Sequence, residues 1–129
     1  MSDHKTMRAV RLHAPFDLRV EEVDRPAAGE NEVVLKVIRA SLCNGSDASL
    51  YSGRRKREIA YPWMELPFGI GHECAGEIVQ VGAGVTDVRI GDRVAGYRYG
   101  GAFAEFQCAR ASEVVPIPEG MPYDHATFI

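Results

Sequence analysis

Glycine and proline recur so closely along this chain that they divide it into short segments. The 129 residues include 13 glycines and 7 prolines, and the stretches between them read as short strands. Short strands that are bounded by glycine or proline turns are typical of a barrel or a sandwich, rather than of a fold that alternates helices with strands. We therefore expect one mainly β domain with minor helix.

The pattern of apolar residues locates these strands. It predicts extended segments over 7–13, 18–23, 32–40, 74–81, 92–99, 102–108 and 114–118. Leu18 and Val20 alternate with charged residues, which indicates a strand with one buried face. The segment 32–40 carries apolar residues on both faces, which predicts burial on both sides. We expect a helical turn over 46–51 with Ser46 or Asp47 as its cap, exposed loops over 53–57 and 61–71, and a helix opening at Pro122.

Charge and composition exclude several classes of function. The net charge is -3 and the isoelectric point is about 5.8, so the basic surface typical of nucleic-acid binding is not expected. No apolar run approaches the roughly 20 residues that span a membrane. The first residues lack the apolar centre of a secretory signal. Three cysteines, an odd number, form no disulfide framework, which predicts a reducing cytoplasm.

The densest chemical signal is the segment 71–85, GHECAGEIVQVGAGV. His72 and Glu73 stand side by side before a predicted strand, between glycines that permit close approach of the backbone. Cys43 follows the strand predicted over 32–40. Imidazole, thiolate and carboxylate are the side chains that zinc prefers. On chemistry alone a zinc site remains one interpretation, beside a buried polar histidine and a small buried cysteine.

Five motifs in order along the chain resemble those of the medium-chain, zinc-dependent alcohol dehydrogenases. They are CNGSD at 43–47, GHECAGEIVQVGAGV at 71–85, GDRV at 91–94, GGAFAEF at 100–106 and PIPEG at 116–120. The resemblance covers 7–129 and implies that family's catalytic domain, a partly open β-barrel that is similar to the co-chaperonin GroES. It leaves residues 1–6 as a frayed terminus and places the end of the chain before the Rossmann domain.

The resemblance also implies a role for each residue of the site. Cys43 and His72 would be ligands of a catalytic zinc ion, and Glu73 would be a further ligand or support the site. Ser46 would relay the proton of the alcohol, and Asp47 would orient the zinc ligands. Zinc would stabilise an alkoxide as a Lewis acid, and hydride would pass to NAD or NADP. The substrate would be a small alcohol, polyol or carbonyl compound.

Three departures from the family pattern shape these expectations. Asn44 and Gly45 both stand between Cys43 and Ser46, where the commoner pattern has one residue. The four clustered cysteines of a structural zinc lobe are absent. No residue of 1–129 is expected to bind the nicotinamide cofactor, and the usual third zinc ligand is missing, so we expect the isolated chain to be inactive. The full-length enzyme is expected to be a homo-oligomer.

Two other classes of function remain open. One is a zinc-free quinone or enoyl reductase of the same superfamily, although those lack the cysteine and the His-Glu pair. The other is a non-catalytic domain, either a truncated relic or a GroES-like assembly module.

Three local patterns also allow two interpretations. The segment 82–84, GAG, is predicted to be a turn rather than part of a dinucleotide-binding motif. The basic run 54–57 is predicted to be a solvated loop rather than an anion site. Tyr51, Tyr61, Trp63 and Tyr97 could line a substrate cleft or simply pack.

Overall fold

The computed structural model describes residues 5–128, and these form eight strands, three short α-helices and one 3₁₀ helix at Ala111–Glu113. Strands hold 42% of the chain and helices 12%, which confirms the mainly β prediction. In chain order the elements are β1 (Thr6–Ala14), β2 (Asp17–Asp24), β3 (Glu32–Ser41), α1 (Asp47–Tyr51), α2 (Arg57–Ala60), β4 (Phe68–Gly69), β5 (Glu73–Val81), β6 (Arg93–Tyr97), β7 (Phe106–Arg110), β8 (Val114–Pro116) and α3 (Tyr123–Ala126).

The strands form two antiparallel sheets that do not close on each other. The larger sheet has the order β7-β3-β5-β6-β8, and the smaller has the order β2-β1-β4. The segment before β7 joins them, because the N–H of Val10 in β1 donates to the carbonyl of Phe103 at 2.8 Å. Ala9 also forms a bridge with Ala104. This architecture is the partly open barrel that the resemblance implies.

The central strand β3 organises the main core. It pairs with β5 on one side and β7 on the other, and Val33, Val34 and Leu35 are almost completely buried. Burial on both faces is therefore confirmed for residues 33–35 but not for the rest of the segment, where Lys36, Arg39 and Ala40 are exposed. The core around it consists of Val33, Leu35, Ile78, Val88, Val94, Ala109 and Val114. A second core lies beneath α1 and consists of Leu12, Leu50, Tyr61, Met64 and Ile70.

The predicted buried face of β2 is wrong. The strand forms over Asp17–Asp24, but Val20 is 71% exposed and Leu18 is 42% exposed. The reason is position, because β2 is the edge strand of the smaller sheet and neither side chain belongs to a core cluster. Alternation predicted the strand correctly but could not say whether anything covers its apolar side.

Other differences concern loops and boundaries. Of the loops predicted over 53–57 and 61–71, the first ends in the opening residue of α2 and the second contains the short strand β4. The strand predicted over 102–108 begins only at Phe106, because the two glycines before Ala102 adopt positive φ and direct Phe103 towards the second core. Of the segment 1–6 that was predicted to be frayed, residues 1–4 lie outside the described residues. Thr6 is the first residue of β1 and pairs with Asp24 of β2.

None of the helices within residues 5–128 is long and apolar enough to cross a membrane. The longest is α1, with five residues.

Candidate metal and active site

The turn between β3 and α1 brings three site residues together. The carbonyl of Cys43 accepts the N–H of Asp47 at 2.9 Å, which starts the helix. Ser46 is the N-cap residue of α1, as predicted, but its side chain makes no capping hydrogen bond. Both side chains point elsewhere: the Ser46 hydroxyl lies 3.5 Å from Nε2 of His72, and Asp47 binds Cys43 and His72.

Glycine backbone geometry places His72 at the entrance to β5. Gly71 has φ +91°, and a Cβ there would lie 2.7 Å from the Phe103 ring. The Gly71 carbonyl accepts the N–H of Gly100, and the His72 carbonyl accepts that of Arg98, both at 3.0 Å. These contacts fix the backbone so that the imidazole points inward and is only 5% exposed. A side chain at position 71 would move the histidine.

One buried carboxylate connects the two predicted zinc ligands. Asp47 Oδ2 accepts the backbone N–H of Cys43 at 2.9 Å, and Asp47 Oδ1 lies 3.2 Å from Nδ1 of His72. The side chains of Asp47 and His72 are 3% and 6% exposed. A carboxylate on Nδ1 favours the tautomer that leaves Nε2 with a free lone pair, which is the arrangement around histidines that bind metals.

The Cys43 thiol is the most acidic of the three cysteines. Hydrogen bonds from the Ser46 hydroxyl, from the Ser46 N–H and from the Gly45 N–H lower the pKa of Cys43, against opposing effects of burial and of Glu73. By contrast, burial raises the pKa of Cys74 to about 12 and that of Cys108 to about 11. Only Cys43 therefore has surroundings that stabilise the thiolate form needed for zinc binding.

Glu73 lies at the edge of this cluster. Its Oε1 is 3.9 Å from Nε2 of His72, and its side chain is 32% exposed, far more than those of Asp47 and His72. Within residues 5–128, no three His, Cys, Asp or Glu side chains are assembled into a metal-binding group. Cys43 and His72 fit zinc by donor chemistry, since one is a stabilised thiol and the other an oriented imidazole. The pair alone does not complete a site.

Sequence reasoning missed Tyr99. Its ring stacks on His72, with 5.2 Å between ring centres and 19° between planes, and Tyr97 meets His72 edge-on at 5.4 Å. Tyr97 was a candidate for the cleft, but Tyr99 was not. The available signal was the spacing of the two tyrosines, which places both on one face of an extended segment.

The remaining candidates from the sequence are segment 82–84, the basic run 54–57 and Tyr51. Segment 82–84 is a turn, as predicted, and a Cβ at Gly82 would lie 1.7 Å from the Gly29 carbonyl oxygen. Residues 54–56 of the basic run are exposed. The structure does not describe the side chain of Arg57. The ring of Tyr51 packs against Phe16 and the second core.

Comparison with known proteins now decides the family. Residues 29–119 match the alcohol dehydrogenase GroES-like domain. The chain belongs to this family. It is 31% identical to the sorbitol dehydrogenase of Bacillus subtilis, over 97% of this chain and 42% of that protein. It is also 33% identical to a probable quinone oxidoreductase of Leishmania amazonensis, over 94% of this chain and 34% of that protein.

The fold is also similar to that of a solved structure. The quinone oxidoreductase from Coxiella burnetii superimposes with a TM-score of 0.86 at 26% identity, over 97% of this chain and 41% of that one. The present chain therefore spans about two fifths or less of the length of these relatives. In the turn between Cys43 and α1, which contains Asn44, Gly45 and Ser46, the Ser46 hydroxyl faces His72, as does Asp47 at the start of the helix.

Proposed function

We propose that this domain belongs to an NAD- or NADP-dependent oxidoreductase in which Cys43 and His72 bind a catalytic zinc ion. The observation that carries the proposal is the Asp47 carboxylate, which contacts the backbone of one ligand and the ring of the other. The proposed substrate is a small molecule that is interconverted between an alcohol and a carbonyl compound. Names of relatives such as sorbitol dehydrogenase support that chemistry.

The donors that compensate the buried Asp47 carboxylate belong to the two proposed ligands, so the carboxylate also orients them. A carboxylate buried as deeply as Asp47 is costly unless positive charge or strong donors compensate it. His72 can donate one hydrogen from Nδ1, and the lone pair of Nε2 is then available to a metal. The lowered pKa of Cys43 favours the thiolate form that zinc binds. Zinc held there would act as a Lewis acid towards the substrate oxygen.

Two further residues have proposed roles in proton transfer. The Ser46 hydroxyl donates towards the Cys43 sulfur and lies 3.5 Å from Nε2 of His72, so it stands where a substrate oxygen could exchange a proton with it. Glu73 is partly exposed and next to Nε2. We propose that its carboxylate supports the ligand pair from the solvent side or joins it as a third ligand.

The remaining parts of the enzyme are proposed from the lengths of the relatives. Because the chain covers about two fifths or less of those proteins, a further domain would supply the nicotinamide cofactor and the missing zinc ligand. We therefore propose that residues 1–129 alone are inactive, although they retain part of the zinc site. Assembly into a homo-oligomer and a cytoplasmic location complete the proposal for the whole enzyme.

Metal content with matched variants tests the proposal. The purified chain is equilibrated at micromolar free zinc, and bound zinc is counted by elemental analysis. We expect one equivalent per chain, lost in Cys43→Ala and in His72→Ala. It should be kept in the controls Cys108→Ala and His125→Ala, which change a residue of the same type outside the cluster. Zinc that survives both ligand substitutions, or that is also absent from a longer form of the protein carrying the further domain, would contradict the proposal.

A zinc-free reductase is the second candidate, because two of the similar proteins are named quinone oxidoreductases. In that case Cys43 and His72 would have no metal to bind, and the same assay would find no bound zinc. A non-catalytic scaffold predicts that outcome too. Adding NADPH and a quinone to a longer form of the protein would separate these two, since only the reductase would oxidise the cofactor.

A further inference from the structure

Aromatic rings form a continuous surface next to His72. We call it the aromatic wall, and it consists of Tyr61, Trp63, Tyr97 and Tyr99. Ring centres are 6.0 Å apart for Tyr61 and Trp63, 5.6 Å for Tyr61 and Tyr99, 6.4 Å for Trp63 and Tyr99, and 5.7 Å for Tyr97 and Tyr99. These are ordinary distances for interacting rings. The wall reaches the site directly, since Tyr99 stacks on the imidazole.

Much of this wall faces solvent. Trp63 is 59% exposed, Tyr97 51% and Tyr99 41%, whereas His72 behind them is 5% exposed. Single exposed apolar side chains are ordinary, but a contiguous aromatic patch beside a candidate site indicates a binding surface. Tyr97 and Glu73 also line a cleft of about 380 Å³, so the Tyr97 end of the wall borders open space next to Glu73.

The polar ends of the wall are already engaged with one another. Nη1 of Arg55 donates to the Tyr61 hydroxyl at 2.9 Å. The Tyr99 hydroxyl is hydrogen-bonded to those of Tyr97 and Tyr61. The ring faces are therefore the part of the wall that a ligand can use. A polyol needs a hydrogen-bonding partner for each hydroxyl that it loses from water, and this surface offers few of them.

We propose that the aromatic wall binds the planar ring of an aromatic substrate, with its oxygen-bearing end directed to His72 and Cys43. This rests on the proposed function and names its substrate class. The ring would add one more member to the existing cluster, stacked or edge-on. An alcohol or carbonyl group attached to it would then reach the ligand pair, because Tyr99 contacts His72 directly.

The chain carries its own reporter for this interaction. Trp63 is the only tryptophan, so one indole N–H signal in a nitrogen–proton correlation spectrum reports on the wall. The chain is titrated with benzyl alcohol and, separately, with sorbitol. We expect a saturable shift of this signal with benzyl alcohol and none with sorbitol at the same concentration. Tyr99→Ala should weaken the apparent affinity about 3- to 10-fold, as expected for the loss of one ring contact.

Matched variants guard against misfolding and nonspecific binding. Phe16→Ala removes an exposed ring that lies outside the wall and packs on Tyr51, and should leave the affinity unchanged. Tyr97→Ala removes a half-exposed ring and serves if Tyr99→Ala perturbs the spectrum as a whole. A linear shift with benzyl alcohol, a stronger response to sorbitol, or equal effects of the Phe16 and wall variants would overturn the proposal.

The titration separates this inference from the zinc proposal. It is performed with and without a chelator, and the ring contact should be retained in both because the wall contains no zinc ligand. Loss of zinc binding with intact benzyl alcohol binding would count against the metal site alone. Stoichiometric zinc without a saturable aromatic shift would count against the aromatic wall alone.

Discussion

Replacing Asp47 by asparagine tests whether the buried carboxylate organises the zinc ligands. The substitution keeps the size of the side chain and removes its charge. In the wild-type chain Oδ2 accepts the Cys43 N–H and Oδ1 faces Nδ1 of His72. An amide has one oxygen and one NH₂ group, so it can accept only one of these two bonds well. The N–H group of Cys43 or of the His72 ring that loses its acceptor would then face the NH₂ group of the asparagine, which is also a donor.

The expected magnitude follows from those contacts. Carboxylates that hold a metal-binding histidine typically change metal affinity 10- to 100-fold when they are replaced. A hydrogen bond to a charged group contributes about 1.5–3 kcal/mol, which corresponds to roughly the same range. Because Asp47 is nearly fully buried, little of this is lost to solvent screening. We therefore expect Asp47→Asn to weaken zinc binding by about one to two orders of magnitude.

The assay is competition with a chromophoric zinc chelator, with circular dichroism to check that the variant is folded. Asp124→Asn is the matched control, since Asp124 pairs with Arg39 at the surface and is 68% exposed. Zinc affinity should be unchanged in this control. A folded Asp47→Asn protein that binds zinc within twofold of wild type, as the control does, would refute the role assigned to Asp47.

Two further predictions concern the cysteines and the packing of the sheet. With zinc removed, iodoacetamide should label Cys43 before Cys74 at mildly alkaline pH. The pKa of Cys43 is lowered and that of Cys74 is raised to about 12, so the thiolate of Cys43 forms at lower pH. Mass spectrometry that finds Cys74 labelled first would contradict this prediction. Gly76→Ala should destabilise the fold by about 1–3 kcal/mol or more, because its Cβ would lie 2.1 Å from the Lys36 carbonyl oxygen. Gly96→Ala, whose nearest neighbour would be 3.6 Å away, should be close to neutral in the same urea denaturation series.

Some residues of the candidate site could be chosen from sequence motifs alone. Cys43 and His72 were found because their chemical types recur in ordered motifs, and the structure brings both into contact with Asp47. The local spacing also located Ser46, despite the additional residue in the turn. The zinc ion itself and the roles of Cys43, His72, Asp47, Ser46 and Glu73 stay predictions. Tyr99 was missed because ring stacking depends on how β6 and its following loop lie beside β5.

The sequence by itself determined the family, the mainly β character and most strands. This is possible because turn residues and apolar runs act locally, as in the segment that became β3. Only the tertiary structure decided which strand faces are covered: Val20 follows the pattern of a buried strand, but β2 is an edge and the side chain remains exposed. The aromatic wall depends on the same kind of information, because its rings come from separate segments that meet only after the sheets have formed.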